Sequence, residues 1–335
     1  MNILSDTSRP WLALAMLPGI GGGTLRAIAH SGKWDRTSKS LEEISIALQL
    51  PKLAKALETP GALQRAEKEA YNQVKMAMRY GAKIVSSLDD DFPQLLKQSR
   101  YNPFFLYVRG NLRSSTSNAS LAIVGTRNPT DQGKKTARSL AQEAVANGWS
   151  VVSGLARGCD TYAHKGAIEN NGHTVAVLAH GLHTVQPYQN QDLAKAILDK
   201  GGALVSHFPF GVDAEPKYFV QRDAIQSGLA QGVILVQSDI NGGSLHAARA
   251  ALADKRWLWT APVAAQDKMP DEGHPPSCIR ANEVLLTGSV EEKQTLLKIK
   301  EVDSMHFIMS ADTPSPGAKP HVQANERTAT SSRQP

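Results

Sequence analysis

LAIVGTRNPT, residues 121–130, decides the reading of this chain: four apolar residues run into a glycine, a hydroxyl, an arginine and a turn, and a helix is predicted to open at Gly133. A buried strand feeding a tight loop and a helix N-terminus is the unit from which open α/β sheets build anion or nucleotide sites. Working outward, the same unit recurs. Strands are predicted at 121–125, 150–154, 174–179, 203–208, 233–238 and 256–260, with helices between them at 133–147, 160–171, 190–200, 222–230 and 243–254. Strands with little polar alternation, separated by helices, imply a mostly parallel sheet covered on both faces, hence an α/β fold.

Ligands of such a sheet bind beyond the carboxyl ends of its strands. That rule nominates Gly125, Thr126 and Arg127 after the first strand, and Ser153, Gly154, Arg157, Gly158 and Asp160 after the second. Gly242, Gly243 and Ser244 follow the fifth. Glycine lets a backbone approach an anion, and a hydroxyl at a helix start adds a donor beside free amides. Arg127 is read as an anion ligand in preference to an internal ion pair, and Arg222 as a second cation facing the same crevice. Asp223 caps the helix it opens or pairs with an arginine of a neighbouring loop. His164, four residues after Asp160 and on the same helix face, is read as a packed, hydrogen-bonded histidine, with Asp160 as a helix cap, rather than as a base. Cys159 is read as a small packed side chain.

Two familiar nucleotide signatures are missing. No GxxxxGK[ST] occurs, VGTRNPTDQG lacks the GxGxxG spacing, and no acidic residue closes the second strand. The reading therefore predicts no P-loop ATPase, no NAD dependence, no cofactor and no catalytic residue. The histidines share no ligand spacing, so no metal site is expected. Two cysteines, Cys159 and Cys278, provide no disulfide framework and suit a reducing, cytoplasmic setting. No apolar run reaches the roughly 18 residues of a membrane span, and no secretory signal is evident.

The net charge of +6 is concentrated at the front: residues 1–120 carry 16 Lys and Arg against 10 Asp and Glu, whereas residues 121–260 carry 13 against 11. A basic front half permits a polyanionic partner. Around Pro18-Gly19-Ile20-Gly21, two short helices resemble a helix-hairpin-helix, whose exposed amides can hold a phosphate; a purely structural hairpin is preferred. Further helices are predicted at 41–58 and 61–80, then strands at 82–86 and across FFLYV, 104–108. Three domains follow: residues 1–80 helical, 81–290 the sheet domain, and 291–335 a terminal helix and a disordered tail.

The motifs VGTRNPTDQG, SGLARGCDTYAH, TVAVLAHGLHTVQPYQNQDL, FVQRDAIQSGLA and NGGSLHAARAAL stand in an order that resembles the DprA/Smf family of DNA-processing proteins, from about residue 10 to 290. The resemblance implies an extended Rossmann-like domain, with an N-terminal helix-hairpin-helix or SAM-like helical domain. It also implies non-enzymatic binding of single-stranded DNA, a homodimer and assistance in loading the recombinase RecA. Arg127, Gly154, Gly158, Asp160, His164, Arg222, Gly243 and Ser244 match family motif positions. The departures are Asp223 and Ala224 where Asn and Arg are usual, Gln237 where the family has a glutamate, and Cys159 for isoleucine. No C-terminal winged-helix pattern is present. An altered crevice that prefers a small nucleotide, or has lost its ligand, is the competing expectation.

Overall fold

The computed structural model describes residues 3–112, 119–268, 276–299 and 308–310. Short runs form the strands β1 (Ala82–Ser86), β2 (Phe105–Gly110), β3 (Ser120–Val124), β4 (Ser150–Ser153), β5 (Thr174–Val177), β6 (Ala203–Ser206), β7 (Gly232–Leu235), β8 (Trp257–Thr260) and β9 (Ile308–Ser310), and β3 to β7, rich in Val, Ile, Leu and Ala, are buried on both faces. They pair in the order β1-β2-β6-β5-β4-β3-β7-β8-β9. All pairings from β6 through β9 are parallel; β2 runs antiparallel to both β6 and β1. The α/β class and the mostly parallel sheet are those expected from the sequence.

This order fixes where a ligand can sit. From β3 the chain winds outward through β4, β5 and β6, then returns to the other side of β3 and continues through β7, β8 and β9. The connections on the two sides of β3 depart in opposite directions, which opens a crevice beyond the carboxyl ends of β3 and β7.

The helices are α1 (Arg9–Ala15), α2 (Gly22–Ser31), α3 (Ser38–Ala47), α4 (Pro51–Leu57), α5 (Ala62–Arg79), α6 (Gln94–Lys97), α7 (Asp131–Ala146), α8 (Cys159–Glu169), α9 (Gln191–Asp199), α10 (Pro216–Gly228), α11 (Leu245–Ala253), α12 (Arg280–Thr287) and α13 (Val290–Leu297). One face of the sheet is covered by α10, α11, α12 and α13 over Val124, Val152, Val177, Val205 and Val233. On the other face α7 and α8 cover Leu121, Ile123 and Val151. The front helices share a continuous core with that same face: Leu12, Leu25 and Leu53 belong to one buried cluster with Tyr107, Leu178, Leu182 and Phe210. Each such side chain contributes about 1.5–3 kcal/mol on burial.

Three expectations change. The helix predicted across 41–58 is two helices, because Pro51 lacks the N–H an unbroken helix needs and starts α4 instead. The helix predicted from 222 begins at Pro216, which places Arg222 and Asp223 inside α10 rather than at its start. Beyond α13, β9 extends the sheet next to β8 where no strand was expected. The tail expected to be disordered lies outside the described residues beyond Ser310, and most of the polar segment 113–119 is likewise outside them.

Candidate functional site

A cavity of about 500 Å³ opens at the switch point between β3 and β7. Its walls come from the loop after β3 (Gly125, Thr126, Arg127), from Ala156 and Asp160 beyond β4, from Phe219, Arg222 and Asp223 on α10, and from the β7–α11 loop (Ser238, Asp239, Gly242, Gly243, Ser244) with His246.

The first loop is fixed from below. Thr126 N–H donates to the Gln237 carbonyl (2.8 Å), and Cys159 N–H donates to the Thr126 carbonyl (3.1 Å). A Cβ on Gly125 would collide with Cys159, and one on Gly158, whose φ is +79°, would strike the backbone of Thr126 and Arg127. The two loops are therefore packed backbone to backbone, which only glycine permits. Cys159 is fully buried there, and burial holds its thiol above the usual range. Gln237 does not line the cavity. Its side chain turns to the start of α7, accepting from Thr130 N–H (3.0 Å) and donating to Thr130 Oγ1 (2.8 Å). Thr130 caps α7 by accepting from Gly133 N–H (2.9 Å) and donates its hydroxyl to Asp267. The residue expected among the crevice groups thus braces a helix.

The second loop carries its own anion. The Asp160 carboxylate accepts from Gly154 N–H (3.2 Å) and Ala156 N–H (3.3 Å), so it holds the preceding loop rather than capping its own helix. Arg222 lies over that loop, 3.7 Å from Asp160 and 3.0 Å from Asp223 Oδ1, and also donates to the Val177 carbonyl. It is 5% exposed. Gly154 has no room for a Cβ because the Arg222 guanidinium occupies that space. Gln226, with its amide nitrogen donating to Asp223 (2.8 Å), accepts from Gly154 N–H (2.9 Å) and closes the network. Ser153 is fully buried and donates to the Ile123 carbonyl (2.7 Å), away from the cavity. Arg157 is exposed beside the loop and does not line the cavity.

His164 is fully buried in α8 and pairs through Nδ1 with Thr174 Oγ1 (2.8 Å). The Thr174 hydroxyl donates to the Val151 carbonyl (2.8 Å), so Nδ1 carries the hydrogen and Nε2 is a bare acceptor. No described group partners that Nε2. Burial, reinforced by Arg222, lowers its pKa to about 3. It is a neutral core histidine at the floor of the network.

The third loop is open. Asp239 and Gly242 close a turn in which Gly242 N–H donates to the Asp239 carbonyl (2.9 Å), and Ser244 Oγ donates to Ser238 Oγ (2.9 Å). Gly243 is exposed, and nothing lies within 4 Å of a Cβ placed on it. Among the described residues no acceptor engages the N–H groups of Gly243 or Ser244, which begin α11 with the positive end of the helix dipole.

Arg127 lines the same cavity. Its guanidinium lies 5.0 Å from the Phe219 ring centroid, and Arg222 approaches the same ring at 5.7 Å. Among the described residues no carboxylate lies within ion-pair distance of Arg127. Burial pushes the Asp223 carboxyl up to about 7 despite Arg222 and Arg127, and neighbouring Asp160 adds to the rise. Burial likewise raises Asp160, opposed by Arg222. Phe219 and His246 are the crevice residues that sequence reasoning passed over. A single aromatic next to Tyr218 carries no period, and His246 lies within a quoted motif without a matched position of its own; once α10 starts at Pro216, Phe219, Arg222 and Asp223 fall within about one turn of each other.

Among the described residues no cluster of three His, Cys, Asp or Glu could hold a metal ion, and no helix is long and apolar enough to cross a membrane.

A glycine-lined crevice at the switch point of a mostly parallel sheet, with Arg127 and Arg222 beside Asp160, Asp223 and Asp239, belongs to a protein of the Rossmann-like class. Residues 83–279 match the family model of DNA recombination-mediator protein A, and the chain belongs to that family. It is 40% identical over 176 residues to protein Smf of Escherichia coli, covering 52% of this chain and 46% of that one. It is 34% identical over 187 residues to DNA processing protein DprA of Bacillus subtilis, covering 56% and 63%. The chain thus spans less than two thirds of the length of these relatives. The structure of DprA from Streptococcus pneumoniae superposes with a TM-score of 0.54 at 25% identity, over 80% of this chain and 98% of that one. DNA processing protein A of Helicobacter pylori shares the fold, with a TM-score of 0.53 at 24% identity over 65% and 96%.

Proposed function

We propose that the protein binds single-stranded DNA in the carboxyl-edge crevice during DNA uptake, processing or recombination, and does no chemistry on it. The observation that carries this reading is the presence in one cavity of the Arg127 guanidinium, which no described carboxylate pairs, and the Gly243 and Ser244 amides, which no described acceptor engages. Two kinds of phosphate donor, a side-chain cation and N–H groups leading into a helix, thus line one cavity. Phe219 adds an aromatic surface, and the Helicobacter pylori relative binds single-stranded DNA. The second loop contributes position rather than contacts, because Asp160 already fills its amides. Arg222 is accordingly an internal support for the crevice wall, and Arg127 the principal ligand.

In the same reading the protein works in the cytoplasm as a homodimer, which doubles the footprint on a strand and raises avidity without stronger individual contacts, and RecA is the partner that receives the coated strand. Fluorescence anisotropy of a labelled single strand across a salt series tests the core of the proposal. Binding that weakens steeply with salt and resists duplex competitor supports it. Absence of binding, or displacement by a low concentration of mononucleotide, overturns it in favour of a small-nucleotide site.

A further inference from the structure

The crevice holds more acid than an anion site needs. Its charged and titratable lining is Arg127, Asp160, Arg222, Asp223, Asp239 and His246. Two arginines thus face three aspartates, and a phosphate entering with every carboxylate ionised would meet a net negative wall. Two of those carboxylates share one cation. Arg222 lies 3.7 Å from Asp160 and 3.0 Å from Asp223, and all three residues are buried. Two buried carboxylates beside a single guanidinium do not both ionise freely, and one of them holds a proton more tightly.

The hydrogen bonds decide which one. The Asp160 carboxylate accepts from Gly154 N–H and Ala156 N–H, and two backbone donors favour its ionised form. Asp223 is engaged at Oδ1 alone, by the Gln226 amide at 2.8 Å and by Arg222. No described group hydrogen-bonds to its Oδ2, and, unlike the sealed polar atoms of the core, that oxygen retains accessible surface on a residue that lines the cavity. Arg127, reaching in from the β3–α7 loop, acts on the same carboxyl. Burial pushes Asp223 up to about 7 against the pull of both arginines, so its acid and its carboxylate are both populated near neutral pH. His246 does not compete there, because burial, Arg249 and Lys298 lower its pKa and keep it neutral.

We propose that Asp223 is a ligand of the bound strand in its acid form: Oδ1 stays with Arg222 and Gln226, while the Oδ2–H donates to the phosphate that Arg127 holds. This role rests on the crevice reading and adds to it a proton taken up with each phosphate seated there. A hydroxyl donating to a phosphate oxygen makes a charge-assisted bond of the strong kind. Without the proton, the bare carboxylate oxygen repels the same phosphate, and the crevice binds in proportion to the fraction of Asp223 in its acid form. Acid loads the crevice and alkali unloads it.

Full-length wild-type and Asp223→Asn proteins test it. Anisotropy is measured with a ~16-nucleotide single strand at about pH 6 and about pH 8, after thermal melts establish that both proteins fold at each pH. Wild-type affinity is expected to be about tenfold weaker at the higher pH, the ratio of acid fractions for a group titrating near 7. Asparagine keeps the shape, cannot ionise and offers an N–H in place of the O–H, so its affinity should stay within about twofold across that range and match the wild type at the lower pH. Calorimetry of the wild type at about pH 8, in buffers of different ionisation enthalpy, reads the same event directly as about one proton taken up on binding. A pH dependence in Asp223→Asn equal to the wild type's gives the proton to another group and overturns this role. Binding by the wild type that neither varies with pH nor takes up a proton overturns it too. In both cases Arg127→Ala, weakened at either pH, leaves the crevice standing. No binding by the wild type at either pH overturns both.

Discussion

Two glycine loops flank the crevice, and their backbone amides meet different fates. In the loop after β4, Gly154 and Ala156 donate to the carboxylate of Asp160, and Arg222 lies across the glycine. In the loop after β7, Gly243 and Ser244 start α11 with no internal acceptor among the described residues. Both loops set a nest of amides beside a helix start, but in one the chain itself supplies an anion to them and in the other the amides stay open. A glycine motif therefore identifies where an anion belongs and not whether it comes from outside. The acidic residue a few positions along decides that.

Removing the internal anion gives the largest effect. Asp160→Ala leaves two loop amides and part of the Arg222 charge without a buried partner, and should destabilise the fold by about 3–5 kcal/mol, measured by chemical denaturation. A loss below about 1 kcal/mol would erase the distinction between the loops. Arg127→Ala removes a cation that no described carboxylate pairs, so melting should hold while single-strand affinity falls about tenfold, equivalent to about 1.4 kcal/mol. Unchanged affinity would strip Arg127 of its role.

Asp223→Asn separates the two loops through pH. The folded protein holds the Asp223 proton far more tightly than the unfolded chain, at about 7 against 3.8, so this residue favours folding at low pH and loses that contribution as pH rises through 7. His164 acts in the opposite sense: its pKa is lowered from 6.5 to about 3, so its contribution is lost as pH falls below 6.5. Between about 3.8 and 6.5 the two contributions oppose each other, so melting temperature should fall more steeply on acidification in Asp223→Asn than in the wild type. An unaltered profile would show that Asp223 ionises freely. The smallest effect belongs to Gly243→Ala: stability within ~0.5 kcal/mol of wild type, because the Cβ meets nothing, with a few-fold loss of strand affinity. A large loss of stability there would mean that the open loop is as internally committed as the other.

Much of this was legible in the chain. Continuous apolar runs marked the strands of the sheet from β3 to β8 and hence the edge where the site lies, since period and burial are local properties of the sequence. Arg127 was legible for the same reason, as the first cation after a buried strand. What failed depended on partners distant in sequence. Asp160 reads as a helix cap until the loop before it folds back, and Gln237 reads as a crevice residue until Thr130 and Asp267 arrive from other segments. Ser153 bonds to Ile123 in the neighbouring strand. Arg222 became internal because α10 begins two turns earlier than its motif suggests, and that start depends on Pro216 rather than on the arginine.

The continuous core beneath the front helices has a consequence for how such a chain can be rearranged. Leu12, Leu25 and Leu53 bury against the same cluster as Tyr107, Leu178, Leu182 and Phe210, so the helical segment cannot be exchanged between relatives as an independent cassette. A chimera that imports foreign helices must also import the sheet residues that receive them. Tyr107 also lines a cavity of about 360 Å³ beside the front hairpin, so any such swap would reshape that cavity along with the seam.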